Sequence, residues 1–212
     1  MMSDGLVLQM PEHAGQLILL FHGVGSTPAN LAPVGLRLGK AFPNAVVASI
    51  PGRHRSDLGG GYQWFSVVGI TEENRPARIA EAMPEFVATI REWQARCGVS
   101  AARTALVGFS QGAIMALEST QLAEPPSGHV VAMSGRFAND PEVAPAHTAI
   151  HFIHGRNDGV ILHGYSIRAA ECLARLGVDA TVDVIPGLGH QINDEVETLA
   201  AQRLRDSSGF LS

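Results

Sequence analysis

The chain has 212 residues, 46% hydrophobic and 17% charged, a balance that fits a globular protein with a sizeable core and excludes intrinsic disorder. Its formal net charge of −5 offers no general attraction to nucleic acid or anionic membranes, and the one basic cluster, Arg53-His54-Arg55, is too short for a tail and reads as a solvated loop. Two cysteines, Cys97 and Cys172, are too few for a disulfide framework and are expected as packed free thiols.

Residues 6–10 read as a short edge strand. Residues 16–21 are apolar without alternation, as in a central strand covered on both faces, and the run is too short for a signal or membrane segment. A soluble, cytoplasmic protein with no stable membrane insertion is the expectation. The strand ends in the glycine-rich loop His22-Gly23-Val24-Gly25-Ser26-Thr27. Leu31, Val34, Leu38 and Phe42 then repeat near helical spacing, with Thr27 as N-cap and Pro28 at the first helical position.

Residues 44–50 form the next strand. Residues 51–66 are a long connection containing Gly59-Gly60-Gly61 and Tyr62-Gln63-Trp64-Phe65. A structureless connection of that length in a compact domain is usually functional. Thr71-Glu72-Glu73 opens a helical region in which Ile79, Met83, Phe86, Val87, Ile90 and Trp93 make one apolar stripe that stops at Gly98. Pro84 either kinks this helix or divides it in two.

The stretch from Thr104 to Leu117 organises the chain. The apolar Ala105-Leu106-Val107 leads into Gly108-Phe109-Ser110-Gln111-Gly112 and then into helix formers, giving strand, sharp turn and helix with G-x-S-x-G at the bend. A serine on so tight a turn is lifted above the sheet edge, and the helix behind it aims backbone N–H groups at whatever the serine attacks. Strands follow at 128–133, at 148–153 and, alternating like a sheet edge, at 179–185. Helices are expected at 163–176 and 195–204. The strict alternation predicts one α/β domain over residues 1–212, a mostly parallel sheet of about seven strands with helices on both faces.

In such sheets the site lies at the carboxyl ends of the strands. Ser110, Asp158 and His190 each follow a strand, in the order nucleophile, acid, base. A serine hydroxyl is a poor nucleophile until an imidazole takes its proton, and a carboxylate orients that imidazole. Blander roles stay open at this stage. Asp158 could simply form the turn in Arg156-Asn157-Asp158-Gly159, and His190 could cap the last helix. Asp140, before Pro141, is the strongest competing acid, though a helix cap suits it better; Asp183 and Asp194 read as structural. His22 is expected to brace its loop. His151 and His154 fall on opposite faces of a strand and cannot chelate one metal. Gly23-Val24-Gly25 lacks the third glycine and the lysine of a phosphate loop, so no metal and no nucleotide cofactor are expected.

Five pieces of the chain together resemble the phospholipase/carboxylesterase family of α/β-hydrolases. They are Leu20-Phe21-His22-Gly23-Val24-Gly25, Gln63-Trp64-Phe65, Gly108-Phe109-Ser110-Gln111-Gly112, His154-Gly155-Arg156-Asn157-Asp158 and Gly189-His190. The resemblance implies the α/β-hydrolase fold, Ser110 as nucleophile, Asp158 as acid and His190 as base. It further implies an oxyanion hole from the backbone N–H groups of Val24 and Gln111, with Trp64 and Phe65 shaping the substrate site. Ser26 and Leu162 depart from the family's usual residues. The resulting expectation is a cofactor-free serine carboxylesterase acting on small-molecule esters or thioesters, as monomer or homodimer. Two alternatives stand beside it: a non-catalytic α/β-hydrolase used as a binding module, and a dienelactone-hydrolase-like enzyme, which would typically carry cysteine where Ser110 stands.

Overall fold

In the computed structural model the residues described are 5–178, 180–207 and 210. The strands are β1 (Leu6–Gln9), β2 (Gln16–Phe21), β3 (Ala45–Ile50), β4 (His54–Arg55), β5 (Tyr62–Gln63), β6 (Thr104–Phe109), β7 (His129–Met133), β8 (Ala149–Gly155) and β9 (Ala180–Ile185). The helices are α1 (Ala32–Ala41), α2 (Arg75–Cys97), α3 (Gln111–Glu118), α4 (Gly164–Arg175) and α5 (Asp194–Asp206). Seven strands form one sheet in the order β1-β3-β2-β6-β7-β8-β9, parallel except for β1, which pairs antiparallel with β3 at the edge.

The strands that read as unbroken apolar runs are the interior ones, because both faces of the sheet are covered. Leu17, Leu19, Phe21, Leu106 and Phe152 pack under α2, α3 and α4. Their sequence neighbours Ile18, Leu20, Ala105, Val107 and Ile153 pack under α1 and α5 on the other side. The alternating β9 lies at the opposite edge, as its sequence pattern predicts; Asp179, where that strand was expected to begin, lies outside the described residues.

Three local expectations change. Residues 28–42 are not one helix: Pro28–Leu31 is a 3-10 turn in which Asn30 Oδ1 accepts from the Thr27 N–H, and α1 starts after it. Pro33 has no N–H to continue an α-type ladder across that junction. The 51–66 connection is not structureless; it holds the β4–β5 hairpin, tied to the glycine-rich loop by Gly25 N–H to Tyr62 O (2.9 Å) and Tyr62 N–H to Ser26 O (2.8 Å). Finally, Pro84 does not divide the helical region in two: α2 is one helix from Arg75 to Cys97. Pro84 and Ala80 both lie on the exposed face, where water can satisfy the Ala80 carbonyl that proline leaves unpaired.

Cys97 and Cys172 are free thiols. Among the described residues, no helix is long and apolar enough to cross a membrane.

Candidate active site

The sheet itself creates the crevice. From β2 the chain turns outward through α1 to β3, whereas from β6 it turns the other way to β7, so the loops leaving β2 and β6 diverge. The glycine-rich loop leaves β2 at this point and Ser110 leaves β6. Ser110 adopts φ 53° and ψ −116°, a strained conformation for a residue with a side chain. The strain is held because the turn is locked from both sides: Ser110 N–H donates to Met133 O (3.0 Å) and its carbonyl accepts from Ile114 N–H (3.0 Å). The glycines of the pentapeptide are steric requirements. A Cβ on Gly112 would overlap the Phe21 carbonyl, and one on Gly108 would sit 2.5 Å from Ala113 backbone atoms.

Ser110, His190 and Asp158 are brought together. Ser110 Oγ lies 2.9 Å from His190 Nε2, and His190 Nδ1 lies 2.7 Å from Asp158 Oδ2. Because a carboxylate only accepts, Nδ1 carries the proton and Nε2 offers its lone pair to the Ser110 hydroxyl. The turn-forming role considered for Asp158 is also real, and it aids the arrangement. Oδ1 accepts from the N–H groups of Val160 and Ile161 (2.9 Å each), which leaves Oδ2 for His190. Burial alone would raise the Asp158 pKa; the His190 hydrogen bond and the two backbone N–H donors overcome it and hold the carboxyl below its ordinary value. Gly155 lets the β9 loop approach, since a Cβ there would overlap the Leu188 carbonyl. His190 caps no helix; Asn193 caps α5 instead, accepting from Val196 N–H at 3.0 Å.

Asp140 is neither the acid nor a helix cap: it pairs with Arg168 near the surface, and no helix follows Pro141. Asp183 is a structural partner of Arg203 (2.6 Å). His22 braces its loop as expected, with Nε2 accepting from Gly52 N–H (3.0 Å) and Nδ1 donating to Gly23 O (2.7 Å). His154 is fully buried beside Asp158, its Nε2 bonded to Ile161 O (2.8 Å); burial lowers its pKa, so it stays neutral and adds no charge to the site. His151 turns to the opposite face, towards Ser207 (2.6 Å). No group of three or more His, Cys, Asp or Glu among the described residues could hold a metal ion.

A cavity of 430 Å³ opens above Ser110, and Val24, Phe65 and Gln111 line it. Gln111 is the first residue of α3, so its N–H has no acceptor within the helix. Trp64 is not on this wall. It is buried to 4% exposure in the core, and its indole N–H donates to His22 O (2.8 Å). Its role is support. The Gln111 side chain, given no role by the sequence reading, clamps the same segment: Oε1 accepts from Trp64 N–H (2.9 Å) and Nε2 donates to Phe65 O (2.7 Å). Arg53 and Arg55 stay away from the cavity; Arg53 bonds Thr89 (2.8 Å) and Arg55 lies over the Tyr62 ring.

Sequence reasoning also missed Glu72, Arg75, Arg136 and Tyr165 on the cavity wall. Arg136 carried a usable signal, since Ser134-Gly135-Arg136 leaves the carboxyl end of β7, beside Ser110. Arg136 Nη2 donates to Glu72 Oε2 (2.8 Å), and that hydrogen bond is the largest influence holding the Glu72 carboxyl below its ordinary pKa, hence ionised.

The model of the phospholipase/carboxylesterase family matches residues 4–204. The chain is similar to esterase YpfH of Escherichia coli (strain K12), 45% identical over 206 residues that span 97% of this chain and 89% of that protein. It is 26% identical over 209 residues to a probable carboxylesterase of Oryza sativa subsp. japonica, covering 89% and 87% of the two chains. Among solved structures, that of esterase PE8 superposes with a TM-score of 0.86 at 30% identity, over 95% of this chain and 97% of that one.

Proposed function

This chain belongs to the phospholipase/carboxylesterase family and is an ester hydrolase, and on that premise we propose that it cleaves carboxylic esters, and thioesters as well, through an acyl-enzyme on Ser110. The observation that carries the reading is the hydrogen-bonded chain Ser110–His190–Asp158 at the mouth of the 430 Å³ cavity. Ser110 Oγ attacks the carbonyl carbon while His190 Nε2 takes the hydroxyl proton. The negative charge that develops on the carbonyl oxygen is received by the backbone N–H groups of Val24 and Gln111, each such donor contributing on the order of 10²–10³ in rate. The C–O or C–S bond then breaks, and His190 returns its proton to the leaving alkoxide or thiolate. A water molecule gives a proton to His190 and attacks the acyl carbon. The Ser110–acyl bond breaks, and the proton goes back to Ser110 Oγ.

Phe65, Val67, Ile114 and Ile161 make an apolar wall beside Ser110, but Glu72, Arg75 and Arg136 also face the cavity and limit how far an alkyl chain can run before it meets charge. The expected behaviour on p-nitrophenyl esters of increasing acyl length is therefore a maximal kcat/KM at short acyl groups, falling as the chain lengthens. Unchanged or rising kcat/KM at long chains would contradict this and point to a lipid substrate. Failure to hydrolyse any ester would remove the catalytic reading and favour a binding module.

A further inference from the structure

The charged side chains on the cavity wall are Glu72, Arg75 and Arg136, and they do not balance. Glu72 serves both cations. Its Oε1 accepts from Arg75 Nη2 (2.9 Å) and Arg136 Nη1 (3.2 Å), and its Oε2 from Arg136 Nη2 (2.8 Å). One carboxylate against two guanidinium groups leaves one positive charge on the cavity wall, in a chain whose overall charge is −5. Both cations are largely withdrawn from water, with side-chain exposures of 18% for Arg75 and 10% for Arg136. Their field is therefore screened less than that of a surface arginine.

The two arginines are held differently. Arg136 is fixed: besides Glu72 it donates to Phe137 O (2.9 Å) and Ala138 O (3.1 Å), and its guanidinium lies 3.9 Å from the centre of the Tyr165 ring. Arg75 is the first residue of α2, and its side chain is hydrogen-bonded among the described residues only to Glu72. Its Nε–H is buried with no partner among those residues. A partly buried guanidinium using so few of its five donors is open to an oxygen acceptor, and its planar fork suits a carboxylate. Pivoting about the Glu72 bond would present that fork to a molecule in the cavity.

We propose that the Ser110 site selects esters bearing a second, anionic group, a carboxylate a few bonds from the scissile bond, with Arg75 as the residue that binds it and Arg136 as the fixed cation behind it. This rests on Ser110 being the nucleophile. It deepens that reading by naming the substrate class.

Two near-isosteric pairs test it, each exchanging a carboxylate for an isopropyl group: monoethyl succinate against ethyl 4-methylpentanoate for an anion on the acyl side, and 3-acetoxypropanoate against 3-methylbutyl acetate for one on the alcohol side. The readout is the anionic-to-neutral ratio of kcat/KM, in which any loss of folded enzyme cancels. For at least one pair, Arg75→Gln is expected to lower the ratio about tenfold or more, and Glu72→Gln, which removes the neutralising carboxylate, to raise it. Ratios that move less than threefold for both pairs in Arg75→Gln overturn the proposal while leaving the esterase intact. If the wild type cleaves neither neutral ester and no other ester, it is the Ser110 reading that has failed.

Discussion

Ser110→Ala is expected to lower kcat for ester hydrolysis by about 10⁶-fold, roughly 8 kcal/mol of transition-state stabilisation, with the fold intact. The loss is large because the hydroxyl is the centre of the proposed chemistry, and no neighbouring group can replace it at the end of the His190–Asp158 chain. The fold survives because the contacts that hold the turn are main-chain ones: Ser110 N–H to Met133 O and Ile114 N–H to Ser110 O. Alanine keeps the Cβ and tolerates the same φ of 53° no worse than serine. Steady-state hydrolysis of a short p-nitrophenyl ester, beside a denaturant midpoint for each protein, separates the two effects. A variant retaining a tenth of the wild-type kcat would contradict the assignment.

Asp158→Asn is expected to cost about 10⁴ in kcat, and here the structure supplies the reason. Val160 and Ile161 N–H groups both point at the Oδ1 position, so the carbonyl oxygen of the asparagine must sit there. Its NH₂ group is then forced to face His190 Nδ1. That ring nitrogen must accept, the proton moves to Nε2, and His190 presents a donor to Ser110 where the reaction needs a base. The same substitution has a pH signature. In the folded wild type the Asp158 pKa is depressed, so the stability it contributes is complete above the unfolded value of about 3.9 and disappears as pH falls through the folded one. The stability gap between wild type and Asp158→Asn should accordingly be present at neutral pH and close in acid. Equal kcat values for the two proteins would remove Asp158 from the mechanism.

The sheet was legible because its signal is local. Residues 17–21 and 105–107 are apolar without interruption and too short for a buried helix, a pattern that fits a strand covered on both faces. The turn at Ser110 was legible for a steric reason, since Gly108 and Gly112 stand where strand and helix backbones meet too closely for a Cβ. Details that depend on partners distant in sequence were not legible. Whether Pro84 breaks α2 depends on which face it occupies once the helix packs. The pairing of β4 with β5 depends on Gly25 and Ser26 receiving the hairpin. Trp64 was expected at the substrate site, but its indole reaches His22 and leaves Phe65 on the wall. The Glu72–Arg136 contact joins residues 64 apart in sequence, from a loop and a strand end that only the folded sheet brings together.

Covalent labelling identifies the nucleophile most directly. The wild-type protein and Ser110→Ala are treated with a fluorophosphonate, and the modified peptide is mapped by mass spectrometry. One adduct per wild-type chain is expected, on Ser110, formed in step with loss of esterase activity, and no such adduct in the variant. An adduct on another residue, or an esterase that stays active and unmodified, would contradict it.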